Sequence, residues 1–393
     1  MKEESRHWLK PATGCLLALV PALIHAIDLF APAPASGFTV GVVAGQAVMT
    51  GDAGMRYHEQ LLDPAGQASV HAATLANLPG GDVGAWWYGG SREGGKDVNI
   101  WFARLDQQTG RFSPAVSVMS RELLAAQTGR HIRKLGNPAA VLDGDGRVWL
   151  FFVSVSIGGW AGSAINFMIS EDGAETWSPA RRLVTSPFFN ISTLVRTSPV
   201  LLQDGGLAIP AYHEFIGKFA EILIVDQDGT VRDKKRLTWG RDALQPALVP
   251  ISASTAAVLM RYAGEAPMRM LRSSTTDGGR TFDRARRSAL PNADSSIAGG
   301  PLPGGAGIWV VYNNSESGRD VLSIAAASDS RQDMVWLHDL DRGGEGEASY
   351  PSVLTDSRGQ HHVVWTHDRQ HIKHAVFNDP WLLDKARKLP ADP

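Results

Sequence analysis

Apolar residues along this chain fall in short runs. Each run leads into a Gly/Asp turn, and a second run follows that ends beside an aromatic residue. The copies are HAATLANLPGGDVGAWWY (71–88), NPAAVLDGDGRVWLFF (137–152), RTSPVLLQDGGLAIPAY (196–212), QPALVPISASTAAVLMRY (245–262), AGGPLPGGAGIWVVY (298–312) and SYPSVLTDSRGQHHVVW (349–365). Their ends lie 64, 60, 50, 50 and 53 residues apart. A recurring unit of this size, with room for four strands, predicts one propeller blade per copy. Six copies therefore predict an all-β, six-bladed propeller of four-stranded antiparallel blades. Only SRELLAAQTG (120–129) reads as a helix. Residues 38–60 are expected to cross the outside or to complete the last blade, because ring closure has to hide the terminal strand edges.

The period also places chemistry. In every copy the first strand runs to the turn and the second runs back, so the start of a copy and the residues just past its end share one face near the axis. The starts supply His71, Asn137, Arg196, Gln245, Asn292 or Asp294, and Tyr350. The ends supply Arg92, Glu93, His213, Glu214, Arg261, Asn313 and His367-Asp368-Arg369. The opposite face receives mostly Gly, Asp and Ser. Polar and ionisable groups converging on one end of a rigid scaffold are what a binding or catalytic site is made of. In WWYGGSREGGKD (86–97) four glycines allow close backbone approach, and Asp97 is a candidate general acid if its carboxyl is raised. The alternative is an Arg–Asp pair bracing that loop. Pro351 fixes the backbone beside Tyr350, whose phenol needs a base such as Glu214 or Glu93 to act as a nucleophile.

The chain opens differently. Lys2, Arg6 and Lys10 precede the apolar run 14–31, and Ala33-Pro34-Ala35 offers a cleavage site. Residues 1–36 thus read as a signal peptide or a retained membrane anchor, giving an exported, periplasmic or extracellular protein. Residues 37–380 form the propeller and 381–393 a C-terminal tail. Cys15, the single cysteine, lies in the leader, so the body has no disulfide. A net charge of −2 gives no support for nucleic-acid binding. The twelve tryptophans are expected mostly in blade packing.

Two octapeptides, SEDGAETW (170–177) and TTDGGRTF (275–282), share the pattern Ser/Thr-x-Asp-Gly-x-x-Thr-aromatic. They resemble the Asp boxes of sialidase-type propellers, and over roughly residues 65–378 the chain is similar to the bacterial sialidase-like, BNR-repeat family. The resemblance implies an exo-glycosidase acting on a terminal, acidic sugar of a glycan, with no cofactor. It implies Asp97 as acid/base, Tyr350 as nucleophile, and arginines clamping the sugar carboxylate; the tyrosine nucleophile is a known feature of sialidases rather than a deduction from this sequence. Arg261 is the best match among the arginines, with Arg92, Arg196 and Arg369 as further members. His71, Asn137, His213 and Asn313 complete the expected sugar contacts. The sequence also departs from the family. His71-Ala-Ala stands where sialidases have Arg-Ile-Pro, and no glutamate occurs at Arg196-Thr197-Ser198, where the tyrosine's base is expected. An ulosonic acid other than sialic acid, or a uronic acid, fits as well.

Two other activities stay open. A polysaccharide lyase acting on uronic acids could use His71 and Tyr350 as base and acid. A carbohydrate-binding propeller needs no turnover at all. His361, His362, His367, His371 and His374 are expected as surface and capping residues rather than as a metal site, since strand alternation sends neighbours to opposite faces. The basic cluster 130–134 is read as a solvated loop.

Overall fold

The computed structural model describes residues 36–40, 54–186, 190–305, 307–344, 346–387 and 389. The leader expected over residues 1–36 lies, but for Ser36, outside them. Six antiparallel sheets ring an axis, one from each predicted copy. Their inner strands are Ser69–Asn77, Lys134–Leu142, the interrupted pair Thr193–Val195 and Val200–Leu201, Ala243–Pro250, Ala298–Pro301 and Ala348–Thr355. The second strands of the copies, such as Val83–Gly90 and Val148–Val155, are buried on both faces, which is why they read as unbroken apolar runs. Trp86, Trp87, Trp149, Trp309 and Trp365 fill the space between blades and are almost wholly buried.

The N-terminal strand Tyr57–Leu62 pairs antiparallel with His371–Phe377, so the sixth blade is completed by the start of the chain. This meets part of the expectation for residues 38–60. Earlier in the chain, Phe38 bridges to Leu202 on the turn face of blade 3. The predicted helix is α1, Arg121–Thr128. Ser120 Oγ caps it by accepting from the Leu123 amide, and Gly129 ends it at φ 65°.

Two expectations change. Residues from 381, set apart as a tail, continue a second helix, α2 (Asp379–Ala386), whose Trp381 and Leu382 pack on Trp309 and Phe377 in one core. Three of the five histidines of blade 6 are not at the surface: His361, His362 and His374 are all at most 2% exposed, whereas His367 and His371 are partly exposed. His361 bonds Asp379 at 2.7 Å, and His362 joins His374 (2.9 Å) to Asp356 (3.2 Å). Among the described residues no group of three or more His, Cys, Asp or Glu is placed to hold a metal ion.

Both octapeptides form the same turn. Asp172 accepts from the Thr176 amide (2.9 Å) and hydroxyl (2.5 Å), and Asp277 does so from Thr281 at 3.0 and 2.6 Å. Ser170 Oγ and Thr275 Oγ1 each accept an amide four residues on. These hydroxyl and amide donors push the Asp172 carboxyl down to about 2.

Candidate functional site at the axis

The inner strands share one device. In blades 1, 2, 4 and 6 the register slips by one residue, between His71 and Thr74, Gly136 and Ala139, Leu244 and Ala247, and Ser349 and Ser352. Ala72, Asn137, Gln245 and Tyr350 sit in these bulges at φ 54°, 46°, 45° and 55°. Such a bulge re-aims a side chain and reverses which face the following residues occupy. A proline follows in three of the four (Pro138, Pro246, Pro351), where an amide would find no ladder partner. The bulges bring Asn137, Gln245 and Tyr350 together at one mouth of the ring.

Tyr350 is the centre of that mouth and keeps part of its surface open. Arg261 Nη1 donates to its hydroxyl at 3.1 Å, and the nearby Gln245 side chain also favours its ionised form. The His71 ring lies 4.3 Å away, centroid to centroid, and the Arg319 guanidinium stands 5.4 Å from the ring centroid. Burial pushes the phenol up, but Arg261, Arg319 and Gln245 outweigh it and hold it below its ordinary value. Arg261 Nε donates to Asp294 at 2.6 Å. Below these groups, the Tyr212 hydroxyl accepts from Asn137 (3.2 Å) and Gln245 (3.4 Å).

Glu347 organises the other side. It pairs with Arg369 at 2.6 Å and Arg319 at 3.5 Å, and comes within 3.8 Å of His71 Nδ1. Arg369 reaches on to Glu93, tying the loop of blade 1 to blade 6. His71 is buried beside Arg369, Arg196, Arg319 and Arg261; burial first, then those charges, keep it neutral, well below the usual imidazole range.

The candidate carboxyls differ. Asp97 is exposed and accepts from the Ser91 amide (2.7 Å) and hydroxyl (2.9 Å). Those bonds hold it below its ordinary value, so it closes its own loop as a carboxylate, with Arg92 exposed nearby. Glu214 is partly buried, and burial raises it despite the pull of Arg261 and Lys218. Glu93 makes its ion pair with Arg369 and no hydrogen bond to Tyr350.

Three expected ligand contacts are spent elsewhere. Arg196 is 1% exposed and gives its guanidinium to the carbonyls of Ala73 (3.2 Å), Tyr350 (2.6 Å) and Pro351 (3.2 Å). It stitches blades 1 and 6 together beneath the tyrosine instead of meeting a ligand. Asn313 is fully buried and donates to the carbonyls of Ala348 (2.8 Å) and Val321 (3.1 Å). His213 alternates away from the axis, stacks on Phe219 and pairs with Glu221 at 2.7 Å. Tyr212, Arg319 and Glu347 were not selected from the sequence. Tyr212 was discoverable, since it closes the copy 196–212 immediately before His213. Arg319 and Glu347 lie on connections without a period and gave no signal.

Residues 81–363 match the BNR repeat-like domain. The chain belongs to that family. Among solved structures, this BNR-repeat propeller is similar to the Hadza microbial sialidase Hz136, at 16% identity and a TM-score of 0.65, covering 78% of this chain and 65% of that one. It is also similar to the NanB sialidase of Streptococcus pneumoniae (12% identity, TM-score 0.64, 81% of this chain and 70% of that one). A third is the leech intramolecular trans-sialidase (12%, TM-score 0.67, 84% and 71%). The chain spans 65% of the length of Hz136. Likeness at this identity speaks to the fold. No curated protein matches in sequence.

Proposed function

We propose that this propeller is an exported exo-glycosidase that removes a terminal acidic sugar from a glycan, with Tyr350 at the anomeric carbon. The observation that carries the reading is the setting of the phenol. It faces Arg261 and Gln245 of blade 4, with His71 of blade 1, Arg196 of blade 3 and Arg319 of blade 5 around its ring. A phenol surrounded by donors is favoured as the phenolate, so a neighbouring base is needed less than in a neutral setting. Tyr350 Oη attacks the anomeric carbon as the bond to the leaving oxygen breaks, and that oxygen takes a proton from a carboxylic acid. Glu214 is the better holder of that proton, because its carboxyl is raised; Asp97 must first leave Ser91 to take the role. The resulting carboxylate then draws a proton from water as water releases the sugar from the tyrosine. Arg261 and Arg319 receive the sugar carboxylate, Arg369 stands behind them on Glu347 and Glu93, and His71 offers a neutral imidazole to the ring hydroxyls.

A second reading has its own observation. A neutral His71 ring 4.3 Å from Tyr350 is a base beside an acid, as a uronic acid lyase requires. Incubating the full chain with sialyl, other ulosonyl and uronyl glycans separates the two. Release of a monosaccharide, reduced about 10²–10⁴-fold in both Tyr350→Phe and Glu214→Gln, supports the glycosidase. An ultraviolet-absorbing product without that release moves the assignment to a lyase, and binding without turnover to a lectin-like propeller.

A further inference from the structure

One arc of the site's rim, on blades 2 to 4, carries six large apolar side chains in the open: Ile157 (81% exposed), Val184 (64%), Ile191 (40%), Phe215 (61%), Ile216 (81%) and Trp239 (84%). All lie on connections at the Tyr350 face, and backbone contacts make them neighbours. The Ser192 amide donates to the Ser163 carbonyl at 2.7 Å, beside the loop of Ile157. Ser192 Oγ accepts from the Glu214 amide at 3.0 Å, next to Phe215. The Ala243 amide donates to the Lys218 carbonyl at 3.2 Å, joining the loop of Ile216 to that of Trp239.

Cations are interleaved with these tips. Arg236 lies 4.7 Å from the Trp239 ring centroid, and Arg133 donates to the Gly158 carbonyl at 3.4 Å. Arg130 and Arg241 are exposed, and Lys218 is partly so. In segments 130–134, 156–162, 182–193, 214–218 and 236–242 the acidic residues are Glu214, whose charge couples to Arg261, and Asp242; the adjoining blade 4 loop adds the exposed Glu265, against seven lysines and arginines in those segments. The arc is therefore apolar at its tips and positive between them.

Exposed isoleucine and valine decide the partner. Sugars stack on flat aromatic faces and gain little from branched aliphatic tips, which need an apolar phase to leave water. Aliphatic and tryptophan tips with basic side chains around them match the interface of a bilayer bearing anionic headgroups. We propose that this arc is a lipid-contact surface that seats the propeller on an anionic membrane, with the mouth of the Tyr350 site beside it. Joined to the glycan reading above, on which this one step rests, the substrate class narrows to glycans carried on lipid.

Hydrogen exchange on the full chain tests the surface without any need for turnover. The probe is phosphatidylcholine vesicles with a quarter phosphatidylglycerol, set against pure phosphatidylcholine vesicles. Peptides covering 155–163, 213–219 and 236–243 should exchange about tenfold more slowly with the anionic vesicles. High salt should weaken this protection. In Ile216→Asp/Trp239→Ser the effect should vanish while the inner strands exchange as before. The proposal is overturned if vesicles leave these loops unprotected, even when the leader itself inserts. It is equally overturned if an acidic oligosaccharide alone protects them as well as vesicles do, or if protection without vesicles rises with protein concentration, as a second copy of the chain would produce. Loss of the glycosidase reading would leave the vesicle result standing.

Discussion

Tyr350 differs from an ordinary tyrosine because of what its oxygen meets. Arg261 Nη1 supplies a hydrogen to it, the Gln245 side chain lies close by and favours the phenolate, and Arg319 adds positive charge across the ring. Gln245→Glu replaces a donor with a negative charge and should raise the phenol by at least about one pKa unit. Tyrosinate absorbance, read as the difference from Tyr350→Phe, checks this; an unchanged titration would mean that the donors do not set the phenol's acidity. Gln245 stood among the strand starts read from the sequence but had no role there, because a glutamate was sought near Arg196. Arg196, Asn313 and His213 show the reverse error. Their places at the start or just past the end of a copy put them toward a ligand, whereas the first two bond backbone carbonyls and the third pairs with Glu221. A bulge shifts parity partway along a strand, and no residue type announces it unambiguously.

The elements themselves were far more legible. Six recurring copies of paired apolar runs gave six blades, and Ser120 and Gly129 marked both ends of α1, because these signals rest on local physics that tertiary packing did not override. Helix α2 was missed because it is short and lies after the last repeat; Asn378 caps it through the Trp381 amide, and its stability comes from Trp381 and Leu382 in the core. The Asp-box turns also explain one departure in their own pattern. Gly279 stands at φ 84° in the second turn, and Ala174 holds the equivalent place at 76°. A Cβ in that region costs about 1–2 kcal/mol, so Ala174→Gly should stabilise blade 2 by at most about 1 kcal/mol once the added freedom of the unfolded chain and the lost burial of the methyl are set against it. Urea unfolding would show this as a higher midpoint at unchanged slope, and a lower midpoint would contradict the turn assignment.

For the molecule as a whole, closure and charge are linked at the seam between blades 6 and 1. The strand Tyr57–Leu62 zips the ring shut, Asp356 accepts from Gln107 across the seam at 2.8 Å, and two buried neutral histidines, His71 and His374, lie close by. Both are held well below 6.5, first by burial, then by the arginines for His71 and by His362 and His58 for His374. As pH falls through about 6.5 the unfolded chain takes up two protons that the folded ring refuses. Stability is therefore full above that pH and declines below it, by up to about 1.4 kcal/mol per pH unit for each histidine. Urea unfolding between about pH 7.5 and 5 measures that slope, and a flat profile would mean that the two imidazoles are protonated in the folded ring. The six-bladed ring could be read from the sequence because it is a repeat. The site could be read only in part, because it lies where the repeats differ.

The central claim is a covalent bond to Tyr350. It is tested most directly by quenching the full chain with acid during turnover of whichever acidic glycan it cleaves, then weighing the peptide that contains residues 348–355. The account predicts a mass increase of one sugar on Tyr350, absent from Tyr350→Phe. Steady turnover with that peptide unmodified, and undiminished in Tyr350→Phe, would contradict it.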